Sequence, residues 1–406
     1  MTTLSLEEFA NDSFFDRAEI SQQTVLFGNG VSDLIGNYAK GLGSHALLVS
    51  DRGIRDAGHV SKIRKLIEIS GVKVTTYDQS IENPTETSVE SCVSVARDAN
   101  VDLIVGLGGG SSMDTAKGCN FLFTNGGRME DFWGVGKATQ PMLPLIAIPT
   151  TAGTGSECQS FALISKDETH VKMACGDHKA LPRVTLLDPK LTSSQPTSVS
   201  ACTGIDALSH ALESAVTKKR CQASDRHAKI AFQLLNYSLP LVFDEPQNLV
   251  ARGGALLGAS HAGVAIERSM LGAAHSMANP LTAKYGTIHG VAVGKSLPFV
   301  MEFNAQDAKC TQIYAEFART ANLANSTHSD ADACLILINR VKLLIELAKL
   351  PTMENKKKFC LNDIVQLSNE AAKQWTATFN PRTITSNDFE VMYQKLFNPA
   401  LNESVR

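Results

Sequence analysis

At 406 residues, 43% of them apolar and 19% charged, the chain is long enough for two domains of ordinary size. A formal charge of −3 gives no electrostatic ground for nucleic acid or an anionic membrane surface as a partner. The 9 cysteines form no CxxC pair and are odd in number, which fits reduced thiols better than a disulfide framework.

Met1 to Phe14 is polar and acidic, without the basic and apolar regions of a signal peptide. No stretch reaches the roughly 18 uninterrupted apolar residues of a membrane helix, so a soluble, cytoplasmic protein is expected. Residues 46–50 read as a buried strand. Val60, Ile63, Leu66 and Ile67 recur at helical spacing, with Gly71 placed to end that helix. A second strand is expected over 72–77, a helix over 88–98 and a third strand over 101–107. Residues 143–148 and 184–187 continue the series. Such alternation predicts a parallel sheet with helices on both faces. Beyond Asp188-Pro189 the sequence turns helix-prone, at 200–217, 225–236, 251–279, 306–324 and 330–349, with no convincing strand. The expected organisation is a Rossmann-like α/β domain over 1–192 and an all-helical domain over 193–406. Lys356, Lys357 and Lys358 form the densest basic spot and read as a solvated helix end. Ligands of open parallel sheets bind beyond the carboxyl ends of the strands, so chemistry is expected there, in the cleft between the domains.

Residues 106–117 (GLGGGSSMDTAK) follow the third strand and open a helix. Glycines there let the backbone approach a pyrophosphate, and the helix start offers free N–H groups. Ser111 and Ser112 are placed to cap that helix. No Gly-Lys-Ser/Thr follows, so this is not a P-loop; taken alone, the stretch also suits a tight strand-to-helix turn. Asp51, at the end of the first clear strand, can accept from an adenosine ribose and would repel a 2′-phosphate. A surface acid before a turn reads the same way. A second polar loop over 149–157 offers Thr150, Thr151 and Thr154 to a carboxamide, ribose or phosphate, or is simply threonine-rich.

In the helical half, Asp206 and His210 stand at i and i+4, on one face and one turn apart. His275 and His289 follow, in the stretches Gly272 to Pro280 and Gly286 to Gly290, flanked by glycine and proline. One carboxylate with three imidazoles suits a divalent cation such as Zn(II) or Fe(II). A helix-surface Asp/His pair is the plain alternative for the first two. His45, His59, His170, His227 and His328 lack such context and read as surface or structural. His261 falls on the helix predicted over 251–279, roughly 21 Å along it from His275, and is therefore set aside as a ligand.

With these residues in hand, the chain resembles the iron-dependent (group III) alcohol dehydrogenase family over about residues 20–400. The resemblance is carried by 108–117, 149–157, Gly204 to His210, His289 to Pro298 and Asn380-Pro381-Arg382. It implies hydride transfer between a small alcohol or aldehyde and NAD, with NADP less favoured. The metal, Fe(II) or Zn(II), would sit on Asp206, His210, His275 and His289, through which these residues act in catalysis. The implied cofactor contacts are Asp51, Asn83, Gly109, Gly110, Ser111, Ser112, Asp114, Thr150, Thr151, Thr154 and Lys172. A homodimer or larger homo-oligomer is also implied. Two departures stand out: Asn279 replaces a histidine common in the family and suited to proton relay, and Phe161 replaces a residue often polar near the nicotinamide. Rival readings on related architectures are a zinc-type glycerol or polyol dehydrogenase, a hydroxyacid–oxoacid transhydrogenase and a dehydroquinate-synthase-like lyase. The last would call for several cations near the metal, and 206–216 with 272–293 hold only Lys284.

Overall fold

A computed structural model describes residues 23–352 and 361–398; Met1 to Phe14, the Lys356 to Lys358 run and Cys360 lie outside the described residues. The chain forms two compact units. One runs up to Gln195 and takes in Gln247–Gly263; the other comprises Pro196–Pro246 and the chain from Val264 onward.

The first unit holds nine strands: β1 (Thr24–Phe27), β2 (His45–Val49), β3 (Lys73–Tyr77), β4 (Leu103–Gly108), β5 (Gly134–Val135), β6 (Leu145–Pro149), β7 (Phe161–Ser165), β8 (Lys172–Gly176) and β9 (Val184–Leu187). Six of them make one sheet in the order β1-β9-β6-β4-β2-β3, every pairing parallel. A parallel sheet is covered on both faces, which is why β2, β4, β6 and β9 are buried throughout and apolar but for His45 and Thr185. Alternate side chains part to opposite faces. Ala46, Leu48, Leu103 and Val105 pack with Val60, Ile63 and Ile67 of helix His59–Ile69. Leu47, Val49 and Ile104 pack with Val89 and Val93 of helix Glu86–Ala99 and with Ala116 and Cys119 of helix Gly110–Asn125. Each fully buried isoleucine or valine stabilises the layer by about 1.5–3 kcal/mol. Helix Glu86–Ala99 starts where Thr85 and Ser88 close a reciprocal capping box, and stops at Asn100 in the left-handed region. The result sets the carboxyl ends of β2, β4 and β6 side by side, so three loops meet.

Two features were not expected from the sequence. Strand β1 joins the sheet edge beside β9, and β5, β8 and β7 form a separate three-stranded sheet with β7 and β8 antiparallel. The strands FALIS and KMACG are short and poor in β-branched residues, so their pairing leaves little local signal.

The second unit is helical, and no strand follows Leu187 among the described residues. The helix expected over 251–279 is in fact broken. Helix Leu249–Ser269 ends, Met270 takes φ 66°, and helix Ala273–Tyr285 begins after Gly272. A methionine in the left-handed region is held by its surroundings and not by its own preference, so the break is hidden in an Ala- and Leu-rich run. The distance argument against His261 therefore fails; His261 belongs to the first unit and His275 to the second. Helix Leu249–Ser269 is long and apolar enough to cross a membrane by composition, but 89% of its most apolar window is buried inside the fold. It is a core helix.

His227 on helix Gln222–Asp244 is fully buried, and burial, with the nearby Arg226 and Arg268 charges, lowers its pKa from 6.5 to about 4. The unfolded chain therefore binds a proton between these values that the folded chain refuses. The stability this contributes is present above pH 6.5 and is lost as pH falls toward 4. On lowering pH from 7 to 5, urea denaturation should show a loss of about 2 kcal/mol from this group. His227→Gln should lose correspondingly less; an identical loss in both proteins would refute the assignment.

Candidate functional site

In the first unit the site begins at the end of β4. Gly108 has φ 147°, and a Cβ there would lie 2.5 Å from Ser112 Oγ, so only glycine serves. Helix Gly110–Asn125 follows with Gly109 as its N-cap and no side-chain cap bond. Ser111 and Ser112 therefore do not cap the helix as expected. They lie within its first turn, and the N-terminal N–H groups stay open to an anion. Ser111 Oγ instead accepts from the Asn83 N–H at 3.3 Å, and Ser112 Oγ donates to Asp51 Oδ2 at 3.0 Å. Asp51 Oδ1 accepts from the Ile54 N–H at 3.0 Å and so caps the short helix Arg52–Asp56. One carboxylate thus ties the end of β2 to the phosphate-loop helix.

The threonine loop after β6 lies against the same glycines. The Thr150 N–H donates to Gly108 O at 3.0 Å. A Cβ on Gly109 would stand 3.1 Å from Thr151 Cγ2, and one on Gly110 2.6 Å from Thr154 Cγ2. Thr150 is 2% exposed and its Oγ1 has no hydrogen-bond partner, so a polar group of a ligand would suit it. Asp114 Oδ1 accepts from Ser156 Oγ at 3.0 Å. Burial pushes the Asp114 carboxyl up to about 6, against the opposing pull of Lys117, Ser156 and the Lys172 charge from β8. The structure thus brings together every cofactor contact implied by the resemblance. Beneath these loops sequence reasoning missed a supporting residue: the fully buried Lys117, whose Nζ donates to Ser156 O (2.6 Å), Ser156 Oγ (2.8 Å) and Phe161 O (3.0 Å). Its spacing from Asp114, i+3 on one helix, was the available signal. Phe161 pairs with Gly176 across β7 and β8, and its ring occupies the space a Cβ of Gly176 would need.

In the second unit, helix Thr197–Ser214 sets Asp206, His210 and Glu213 on one face. His275 sits in the first turn of helix Ala273–Tyr285, and His289 is the first residue of helix His289–Asn304. Gly290 lies directly on the Cys202 carbonyl, where no Cβ fits, and this close approach delivers His289. Asp206 Oδ1 is 3.5 Å from His210 Nε2, 3.5 Å from His275 Nε2 and 3.9 Å from His289 Nε2. Asp206, His210 and His275 offer donor atoms within 4.8 Å of one another. These separations are long for hydrogen bonds. They match the roughly 3.4 Å between neighbouring donors that each stand about 2.1 Å from one tetrahedral cation. Asp206 Oδ1 and His275 Nε2 are buried and have no hydrogen-bond partner, a cost that a shared cation removes. The residues fit a metal.

Charge and access support that fit. Burial alone would raise the Asp206 carboxyl, but His210, His275 and His289 hold it well below the usual range, so the site contains a carboxylate. Burial would likewise lower His275, yet the Asp206 carboxylate 3.5 Å away and the hydrogen bond to Glu213 raise it to about 9. Asp206, His210 and His275 are at most 5% exposed. The His289 side chain is 25% exposed and marks the open edge that a catalytic ion requires. Glu213, unforeseen from the sequence, bonds His275 Nδ1 at 2.5 Å. A glutamate three residues after a histidine looks like any helix-surface charge until its burial is known. Asn279, one turn past His275, donates from Nδ2 to Gln374 Oε1 at 3.0 Å.

Comparisons with known proteins agree with both halves. A family model described as iron-containing alcohol dehydrogenase matches residues 22–189, and one for the C-terminal part of the same family matches 200–397. Alcohol dehydrogenase 4 of Schizosaccharomyces pombe is 33% identical over 91% of this chain and 86% of its own length. The NAD-dependent methanol dehydrogenase of Bacillus methanolicus is 31% identical over 89% and 95%. A crystal structure of 1,3-propanediol oxidoreductase is similar with TM-score 0.88 at 30% identity, covering 92% of this chain and 98% of that one. Sulfoacetaldehyde reductase from Bifidobacterium kashiwanohense in complex with NAD+ has TM-score 0.82 at 27% identity, over 92% and 97%.

Proposed function

The chain belongs to the iron-containing alcohol dehydrogenase family, and we propose that it interconverts a small primary alcohol and its aldehyde with NAD(H) as partner. The activity class, a metal-dependent alcohol dehydrogenase, follows from the relatives; the substrate size, the cofactor and the ion are the proposal. The observation that carries it is the meeting of three imidazoles on one oxygen of the buried Asp206 carboxylate, Oδ1, which has no hydrogen-bond partner. Asp206, His210, His275 and His289 would hold the ion. Fe(II) is favoured by the family's description and Zn(II) is acceptable to the same donors. Bound there, a divalent ion supplies Lewis acidity toward a substrate oxygen. The chain's own residues do the rest. Gly108 to Gly110 and the uncapped helix start receive a pyrophosphate, Thr150, Thr151 and Thr154 line its approach, and hydride transfer demands a nicotinamide held face-on. The matched relatives are dehydrogenases, which does not favour the lyase reading. A cytoplasmic setting and a homodimer or larger homo-oligomer belong to the same proposal. The setting is supported by cysteines that are all free among the described residues.

An alcohol panel run on metal-reconstituted enzyme with both nicotinamide cofactors tests this reading. Asp51 faces the phosphate loop, and a second charge about 8 Å away costs about 2 kcal/mol at an effective dielectric near 20, or roughly 30-fold. NAD should be preferred by about that factor. Asp51→Gly should relax the preference while sacrificing only a few tenths of a kcal/mol as an N-cap. Equal kcat/KM for NAD and NADP in the unmodified enzyme would refute the role of Asp51.

Asn279 already serves Gln374 with a neutral amide in a partly buried place. An imidazole there leaves that pairing mismatched, so Asn279→His should lower kcat/KM by about 1–3 kcal/mol in equivalent free energy. A several-fold gain in kcat, with a new ionisation near the roughly 6.5 of a free histidine, would show that the chain needs the relay it lacks.

A further inference from the structure

Glu213 lies one turn beyond His210 on helix Thr197–Ser214 and is 3% exposed. Its Oε2 accepts from Nδ1 of His275 at 2.5 Å, and its Oε1 accepts from the backbone N–H of Ala274 at 2.6 Å. Both oxygens therefore grip the first turn of helix Ala273–Tyr285, one through the ring and one through the chain that carries the ring. A buried carboxylate needs such donors, and two short bonds from adjacent residues fix it firmly. Space is reserved for it as well. A Cβ on Gly272 would stand 3.0 Å from Glu213 Oε1 and 3.3 Å from Asn380 Oδ1.

We infer that Glu213 is a positioning residue for the metal: it keeps the imidazole proton of His275 on Nδ1 and so leaves Nε2, 3.5 Å from Asp206 Oδ1, as a lone-pair donor. The inference rests on the metal reading of Asp206, His210, His275 and His289. Two donors meet two acceptor oxygens here, and an amide cannot serve both. In Glu213→Gln, if the amide oxygen takes the Ala274 N–H, the amide N–H group faces Nδ1 and drives the ring proton to Nε2, where the ion binds. If the amide is flipped, the Ala274 N–H loses its buried acceptor and the helix start is freed. Either arrangement weakens ligation without removing a ligand.

The test is chelator competition for Zn(II) on the full-length chain. Glu213→Gln should bind about 10- to 100-fold more weakly than the unmodified protein. Gly272→Ala, which keeps every charge and presses its Cβ on Glu213 Oε1 and, less closely, on Asn380 Oδ1, should bind several-fold more weakly. In the Zn(II)-loaded unmodified protein, the His275 Nδ1–H should give a downfield, slowly exchanging proton resonance that Glu213→Gln lacks. If the unmodified protein takes up no Zn(II), the metal reading itself fails. If it binds Zn(II) and Glu213→Gln binds within threefold with the resonance intact, the positioning role is overturned. Should Glu213→Gln not fold, unchanged affinity in Gly272→Ala overturns it instead.

Discussion

Asp206 places a carboxylate at 5% exposure on a helix whose neighbours are alanine, leucine and isoleucine. A charge so enclosed costs several kcal/mol unless something nearby answers it. His210, His275 and His289 each turn a ring nitrogen toward Asp206 Oδ1, yet none comes close enough for a good hydrogen bond. The arrangement is poor as a set of internal bonds and good as a coordination shell. Three separate helices must hold their registers to keep it so. Gly290 closes on the Cys202 carbonyl, and the chain turns through Met270 and Gly272 to restart a helix just before His275. Helix order, glycine placement and the backbone break are consequences of keeping one oxygen encircled.

The first unit answers a different demand with the same economy of parts. A dinucleotide needs backbone N–H groups and hydroxyls at one edge, so the apolar sheet has to end in polar loops at adjacent strands. Asp51 joins two of those loops through Ile54 and Ser112. Lys117 and Asp114 join the helix to Ser156 and to the start of β7 from beneath. Burying a lysine is tolerable because all of its donors are spent on two carbonyls and a hydroxyl. Rigid loops of this kind order the cofactor before chemistry, which is where much of a hydride enzyme's advantage lies.

Much of this was legible in the chain. Strands covered on both faces are largely apolar, so the runs over 46–50, 101–107 and 143–148 declared themselves. The Asp206/His210 spacing and the glycine cluster after β4 carry geometry in their intervals alone. His275 and His289 were visible only through the glycine and proline of their stretches and the family resemblance, because their helices converge in space and not in sequence. Glu213 and Lys117 were hidden for a related reason: a charged residue on a helix looks solvated until the fold buries it. The β7 and β8 hairpin failed because alanine, cysteine and glycine on its strands rely on a partner across the sheet. The Met270 break failed because tertiary packing overrode a locally helical run.

X-ray absorption at the metal edge of protein loaded with one equivalent of Fe(II) or Zn(II) probes the encircled oxygen most directly. Nitrogen and oxygen donors at about 2.0–2.2 Å are expected, with outer-shell scattering from three imidazoles. Asp206→Asn should weaken the bound population and leave that imidazole pattern in whatever ion remains. Sulfur in the first shell, or scattering from fewer than three imidazoles, would contradict the assignment of Asp206, His210, His275 and His289 as one ligand set.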